Sequence, residues 1–174
     1  MIKKQCSIII MVFFVLLFAS NCLGEPLTPG ACKTKVEAAS KLVQSQGDAA
    51  FVAINDPNGK FRFGDGTGYV WIHNLEGIML THPKPSLIGK ALFGLKDGNG
   101  VYFFVAFNEL VEEKGAGWVP YQWPKPGEEN ESSKVSYVKL VTHGDKSYVV
   151  GSGMYDVTGP DIKKAFPGDP VYEH

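Results

Sequence analysis

The chain has 174 residues, 17 Lys and Arg against 18 Asp and Glu, and a formal charge of −1. Lys3 and Lys4 precede an uncharged apolar run over residues 8–19, which is the pattern of a signal peptide and is too short for a comfortable membrane span. Past Gly24, 15 basic residues face 18 acidic ones for a charge of −3, which argues against nucleic acid as a partner, and no second apolar stretch returns the chain to a membrane. The expected product is exported, periplasmic or secreted, and soluble. Cys22-Leu23-Gly24 supplies the small residues of a cleavage site. The competing reading is a lipoprotein acylated at Cys22, against which Asn21 stands where such a site wants Gly, Ala or Ser; an uncleaved anchor helix comes third. Cleavage also removes Cys6 and Cys22, so Cys32 has no internal disulfide partner and reads as a small, half-buried apolar residue. The 150 residues that follow Gly24 suit one domain with one hydrophobic core.

The expected organisation is an N-terminal segment over 25–33, a single domain over 34–158 and a C-terminal tail over 159–174. Thr34 and Glu37 form a capping-box pattern, and Val36, Ala39 and Val43 recur at helical spacing until Gly47. Asp48 is placed to cap a second short helix over 49–55, stopped by Pro57 and Gly59. Phe61, Phe63 and residues 69–72 read as extended, residues 74–77 as a turn and residues 78–81 as the returning strand. Pro83, Pro85 and Gly89 keep the next stretch irregular. A turn over 97–100, fixed by Asp97, leads into a helix carrying Val101, Phe104, Val105, Asn108 and Val111 and ending at Gly115. Residues 118–123 read as a strand with Pro120 at an edge or bulge, 124–133 as a polar loop, and 135–141 with 148–155 as a last hairpin. With about five strands and no repeated βαβ alternation, the expected fold class is α+β, an antiparallel sheet with helices packed on it.

Catalytic and cofactor signatures are missing from the sequence. His73, His82, His143 and His174 are scattered without a second ligand at metal spacing, and Gly64, Gly66 and Gly68 alternate before a strand instead of turning a strand into a helix. No metal, no cofactor and no enzymatic activity are expected; Glu109, Glu112 and Glu113 read as the solvated face of one helix.

The segment over 69–155 carries an ordered series of short motifs. They are Tyr69-Val-Trp-Ile, Gly77 with Leu80, His82-Pro83, Leu87-Ile-Gly89-Lys90 and Leu95-Lys96-Asp97 with Gly100. Gly117-Trp118-Val119 with Tyr121, Trp123-Pro124 with Pro126, Lys134 with Ser136-Tyr137-Val138, and Val150-Gly-Ser-Gly-Met-Tyr155 follow. In this order and spacing they resemble the Cache domain, specifically the single Cache type 2 modules in the extracellular parts of bacterial chemoreceptors and sensor kinases. The resemblance implies a PAS-like antiparallel sheet behind a long N-terminal helix, and a pocket for small organic acids or similar metabolites between the sheet and its covering loops. Unlike those receptors, the sequence shows no membrane helix, kinase or methyl-accepting segment after Tyr155, so the resemblance supports binding more firmly than signalling.

A pocket for a small acid needs a cation or several donors aimed inward and aromatic walls. Lys134 is the candidate cation, with a solvated surface lysine as the alternative. Tyr137 joins it only if the strand is bulged, because alternation sends Lys134 and Tyr137 to opposite faces. Tyr121 with Trp123, and Tyr69 with Trp71 and His73, share faces and read equally as pocket walls or as core. Gly151 and Gly153 leave space for a ligand or for a close-packed helix, and His82 reads as an anion donor or as a turn residue. The expected function is therefore small-molecule capture, with a membrane-bound sensor or transporter as onward partner and a homodimer through the first helix as the lone-module arrangement. An envelope-protein interaction module with a vestigial pocket is the alternative, and an enzyme comes third.

Overall fold

In the computed structural model, residues 25–125 and 127–173 are described. The expected signal peptide with Cys6 and Cys22, the motif residue Pro126, and His174 lie outside the described residues. Six strands, all paired antiparallel, form the sheet: β1 (Arg62–Phe63), β2 (Gly68–Asn74), β3 (Met79–Thr81), β4 (Ala116–Pro124), β5 (Glu131–His143) and β6 (Lys146–Tyr155). Their order is β1-β2-β6-β5-β4, with β3 beside β2. The α+β expectation holds, with one strand more than anticipated. Pro120 lies in β4 at the end of this order, where a residue without an N–H leaves no ladder partner unpaired.

Among the described residues, four α-helices accompany the sheet: α1 (Pro29–Gln46), α2 (Ala50–Ile54), α3 (Phe103–Lys114) and α4 (Gly159–Ala165). Alternation along the strands divides the core. Val70, Ile72, Val135, Tyr137 and Val150 face α1, α2 and α4, whereas Trp71, Val119, Tyr121, Val138 and Val149 face α3. The outward positions of α1, among them Thr34, Lys41, Gln44 and Ser45, are exposed and polar. Among the described residues no helix is long and apolar enough to cross a membrane.

Three local expectations are corrected. The first helix starts before Thr34: Thr28 is its N-cap, accepting from the Ala31 N–H at 3.1 Å, and Pro29 takes the first helical position, where its missing N–H is no loss. Thr34 and Glu37 are therefore interior to the helix, and Glu37 accepts instead from Lys139 of β5 at 2.6 Å. Asp48 likewise serves tertiary structure, accepting from the Tyr148 hydroxyl at 2.7 Å. The stretch expected as a tail folds against the sheet, because Thr158 and Asp161 build a capping box around Pro160 that starts α4. Ile162 of α4 is fully buried, and Phe166 packs its ring 5.3 Å from that of Trp118. Beyond it, Asp169 accepts from Trp118 Nε1 at 2.9 Å and pairs with Lys33 of α1. The Trp118 N–H then donates to Pro170 O, and the Tyr172 N–H to Trp118 O.

Asp97 holds the turn before α3, as expected, and also ties it to the sheet. Its Oδ1 accepts from the N–H groups of Asn99 (3.0 Å) and Val101 (2.8 Å), and its Oδ2 from that of Gln122 in β4 (2.9 Å). Asp97→Ala is expected to reduce stability by about 2–3 kcal/mol, since it orphans part-buried donors. A urea midpoint that falls with an unchanged slope is the expected reading, and an unmoved midpoint would refute it.

Candidate functional site

The sheet register assembles the site. Lys134 in β5 lies directly opposite Tyr121 of β4 on one side and Tyr155 of β6 on the other. Side chains opposite one another in antiparallel strands share a face, here the face toward α3. Lys134 is 4% exposed. Its Nζ donates to the Tyr155 hydroxyl at 3.1 Å and lies 4.4 Å from that ring's centroid and 5.9 Å from the centroids of Tyr69 and Tyr121. The Tyr155 hydroxyl in turn donates to Pro124 O at 2.9 Å. Three phenol faces thus surround the ammonium, a favourable but weaker substitute for an anion. Among the described residues no carboxylate pairs with Lys134. Burial brings its pKa down to about 8.

Lys134 stands in the wall of a cavity of about 770 Å³ between the sheet, α3 and the covering loops. Of the residues expected from sequence, Tyr69, Trp71, His82, Tyr121, Trp123 and Lys134 line it together. Tyr137 does not. It points to the α1 side, its ring 4.9 Å from that of Trp118 and its hydroxyl donating to Glu37 at 3.4 Å, because no bulge interrupts the β5 ladder. Gly151 and Gly153 share the cavity's face but not its lining. A Cβ on Gly151 would stand 2.5 Å from the Trp71 ring, and one on Gly153 would stand 2.2 Å from Ser136 Oγ. The room these glycines leave is filled by protein atoms.

Most of the remaining polar groups in the lining favour an anion; the exposed carboxylate of Glu128 is the exception. His82 is held neutral, its pKa lowered to about 4 by burial and then by the nearby charges of Lys134 and Arg62. Its Nδ1 accepts from the Lys84 N–H at 2.8 Å, so Nε2 carries the proton. The phenols of Tyr69 and Tyr121 are pushed above their usual range by burial and keep their protons as donors; that of Tyr121 shares a 3.0 Å hydrogen bond with Ser136 Oγ. Arg62, at 5.9 Å from the Tyr69 ring, adds a further cation to a lining that also includes Lys84 and Lys125. Sequence reasoning passed over Arg62, though it is the only arginine in the chain, and over Phe103, Phe107 and Tyr155. The Cys32 thiol lies on the α1 side, fully buried and pushed up to about 11 by that burial.

A family model described as the Cache domain matches residues 53–158. The chain belongs to the Cache domain family. The match opens inside α2, closes at the N-cap of α4, and contains all six strands, α3 and every residue named above as lining the cavity. This Cache domain is 37% identical over 95 residues to the methyl-accepting chemotaxis protein McpP of Pseudomonas putida, covering 52% of the chain and 16% of that relative. The chain thus spans a small part of the relative's length. Among solved structures, it is similar to a periplasmic sensor domain of a chemotaxis protein, with 35% identity and a TM-score of 0.61, over 72% of this chain and 92% of that one. A Cache chemosensory domain described for carboxylic acid recognition gives 30% identity and a TM-score of 0.61, over 74% and 92% of the two chains. A methyl-accepting chemotaxis protein from Vibrio parahaemolyticus gives 27% and 0.55, over 71% and 82%.

Proposed function

We propose that this Cache domain is an extracytoplasmic sensory module that captures a small carboxylate and passes its bound state to a membrane-bound sensor or transporter. The observation that carries the proposal is the Lys134 ammonium, 4% exposed, in a cavity wall and without a carboxylate partner. Burying an unpaired charge costs several kcal/mol in an apolar setting, and folding has no use for such a group. An incoming carboxylate removes that cost by pairing with the ammonium, so the strain becomes binding energy specific to an anion. Arg62 and the donors on the tyrosines and His82 suit the same charge. The relative described for carboxylic acid recognition supports this assignment of ligand class.

A thermal-shift series on the purified protein tests the proposal, using short organic acids, amino acids, amines and nucleobases. A carboxylate present at about 100 times its dissociation constant should add roughly 2.7 kcal/mol of stability and move the midpoint by several degrees. Amines should leave it in place. A response confined to amines or nucleobases, or no response to any class, would overturn the reading.

A further inference from the structure

We infer that the ligand is a monocarboxylate bearing an apolar tail, an acid of about five or more carbons, and that the wall contributed by α3 is the site of that tail. The inference rests on the carboxylate reading above and goes on to name the rest of the molecule. Room is the first argument. A two- or three-carbon acid takes up on the order of 100 Å³, judged against roughly 30 Å³ per water molecule, whereas the cavity, open to solvent on one side, offers about 770 Å³, leaving room beyond a short acid seated at Lys134.

The division of the lining is the second. Residues from α3 that reach the cavity are Phe103, Phe104 and Phe107, and the segment leading to α3 adds Leu92 and Leu95. Phe103 stacks on Tyr121 with centroids 4.6 Å apart and planes 15° apart, and Tyr121 flanks Lys134. A continuous aromatic surface therefore runs from the buried ammonium to the α3 wall. A chain laid along it exchanges water for carbon contacts from end to end.

The count of buried charges is the third. Lys134 is the one buried charged side chain in the described lining. Arg62 is half-buried, and Lys125 is engaged by Asp156 at 2.7 Å. A second carboxylate against the phenylalanines would be desolvated without a buried partner, so a single acid group is expected.

Calorimetric titration of the purified protein with acetate, butyrate, hexanoate and succinate tests the inference. Affinity should rise about four-fold per methylene, roughly 200-fold from acetate to hexanoate, as each CH₂ leaves water. Succinate should bind more weakly than butyrate, which has the same number of carbons. Leu95→Asn should weaken hexanoate and spare acetate. Acetate binding as tightly as hexanoate, or succinate tighter than butyrate, would overturn the tail assignment while leaving the carboxylate reading in place. Failure of all four acids would remove both. Equal losses for acetate and hexanoate in Leu95→Asn would show that this residue does not touch a tail and would overturn the placement along α3.

Discussion

Lys134→Met is expected to abolish carboxylate binding and, at the same time, to stabilise the unliganded protein. In the unfolded chain the ammonium titrates near its ordinary 10.5, whereas burial brings it to about 8 in the fold. At pH 7 the group is charged in both states, and this lowering corresponds to roughly 3 kcal/mol held against folding. Methionine fills similar space with no charge to desolvate, so its unliganded stability at pH 7 should rise by about 2–3 kcal/mol after the lost hydrogen bond to Tyr155 is counted. The sign reverses what a structural lysine would show. Because the folded pKa is the lower one, the wild-type penalty is complete below pH 8 and fades between pH 8 and 10.5, and the advantage of the variant should fade over the same interval. Urea unfolding across that interval, with calorimetry at pH 7, makes the check. A variant that is less stable than wild type and still binds carboxylate would show that Lys134 belongs to the architecture and not to the site.

The affinity of the wild-type protein for a carboxylate should be level from pH 6 to about 8 and then fall roughly tenfold for each further pH unit. The carboxylate is ionised throughout and pairs with the ammonium, which is the majority form only below about 8. Above that value each binding event must take up a proton, because the paired lysine regains a higher pKa. Calorimetry at pH 8.5 in buffers of different ionisation enthalpy should therefore detect proton uptake on binding. His82, neutral throughout this range, should not contribute. An affinity that stays level to pH 10, with no buffer dependence, would rule out Lys134 as the anion's partner.

Much of this site was legible in the sequence because a strand has period two. Alternation set Tyr121 with Trp123 and Tyr69 with Trp71, and the structure gathers these pairs around one cavity with Lys134. Alternation also separated Lys134 from Tyr137, and the uninterrupted β5 ladder maintains that separation. What a single strand does not reveal is which of its faces meets a cavity, since both faces here are apolar and both are covered by helices. The glycines illustrate a related limit: a missing side chain at Gly151 or Gly153 marks space, but only the neighbouring strands decide that Trp71 and Ser136 occupy it. Arg62 was obscured by its two-residue strand among glycines, and the α3 phenylalanines by their ordinary helical spacing, which looks the same whether it faces core or ligand. The true start of α1 is carried by the Thr-Pro pair at residues 28 and 29, a shorter signal than the capping-box spacing at Thr34 and Glu37. The segment after Thr158 was underestimated because its capping box is followed by few apolar residues, and its docking depends on Trp118, far away in the chain.

The docking of residues 169–172 on β4 bears on how copies of this protein behave beside one another. β4 ends the strand order, and a bare terminal strand offers its N–H and carbonyl groups to any other extended chain. Here Pro120 removes one donor, while the Trp118 N–H and carbonyl are occupied by Pro170 and Tyr172. Gly117 lets the segment come this close, since a Cβ there would stand 2.7 Å from Pro170 O. Residues 169–172 thus act as a guard rail along β4, closing that edge to strand-by-strand self-association.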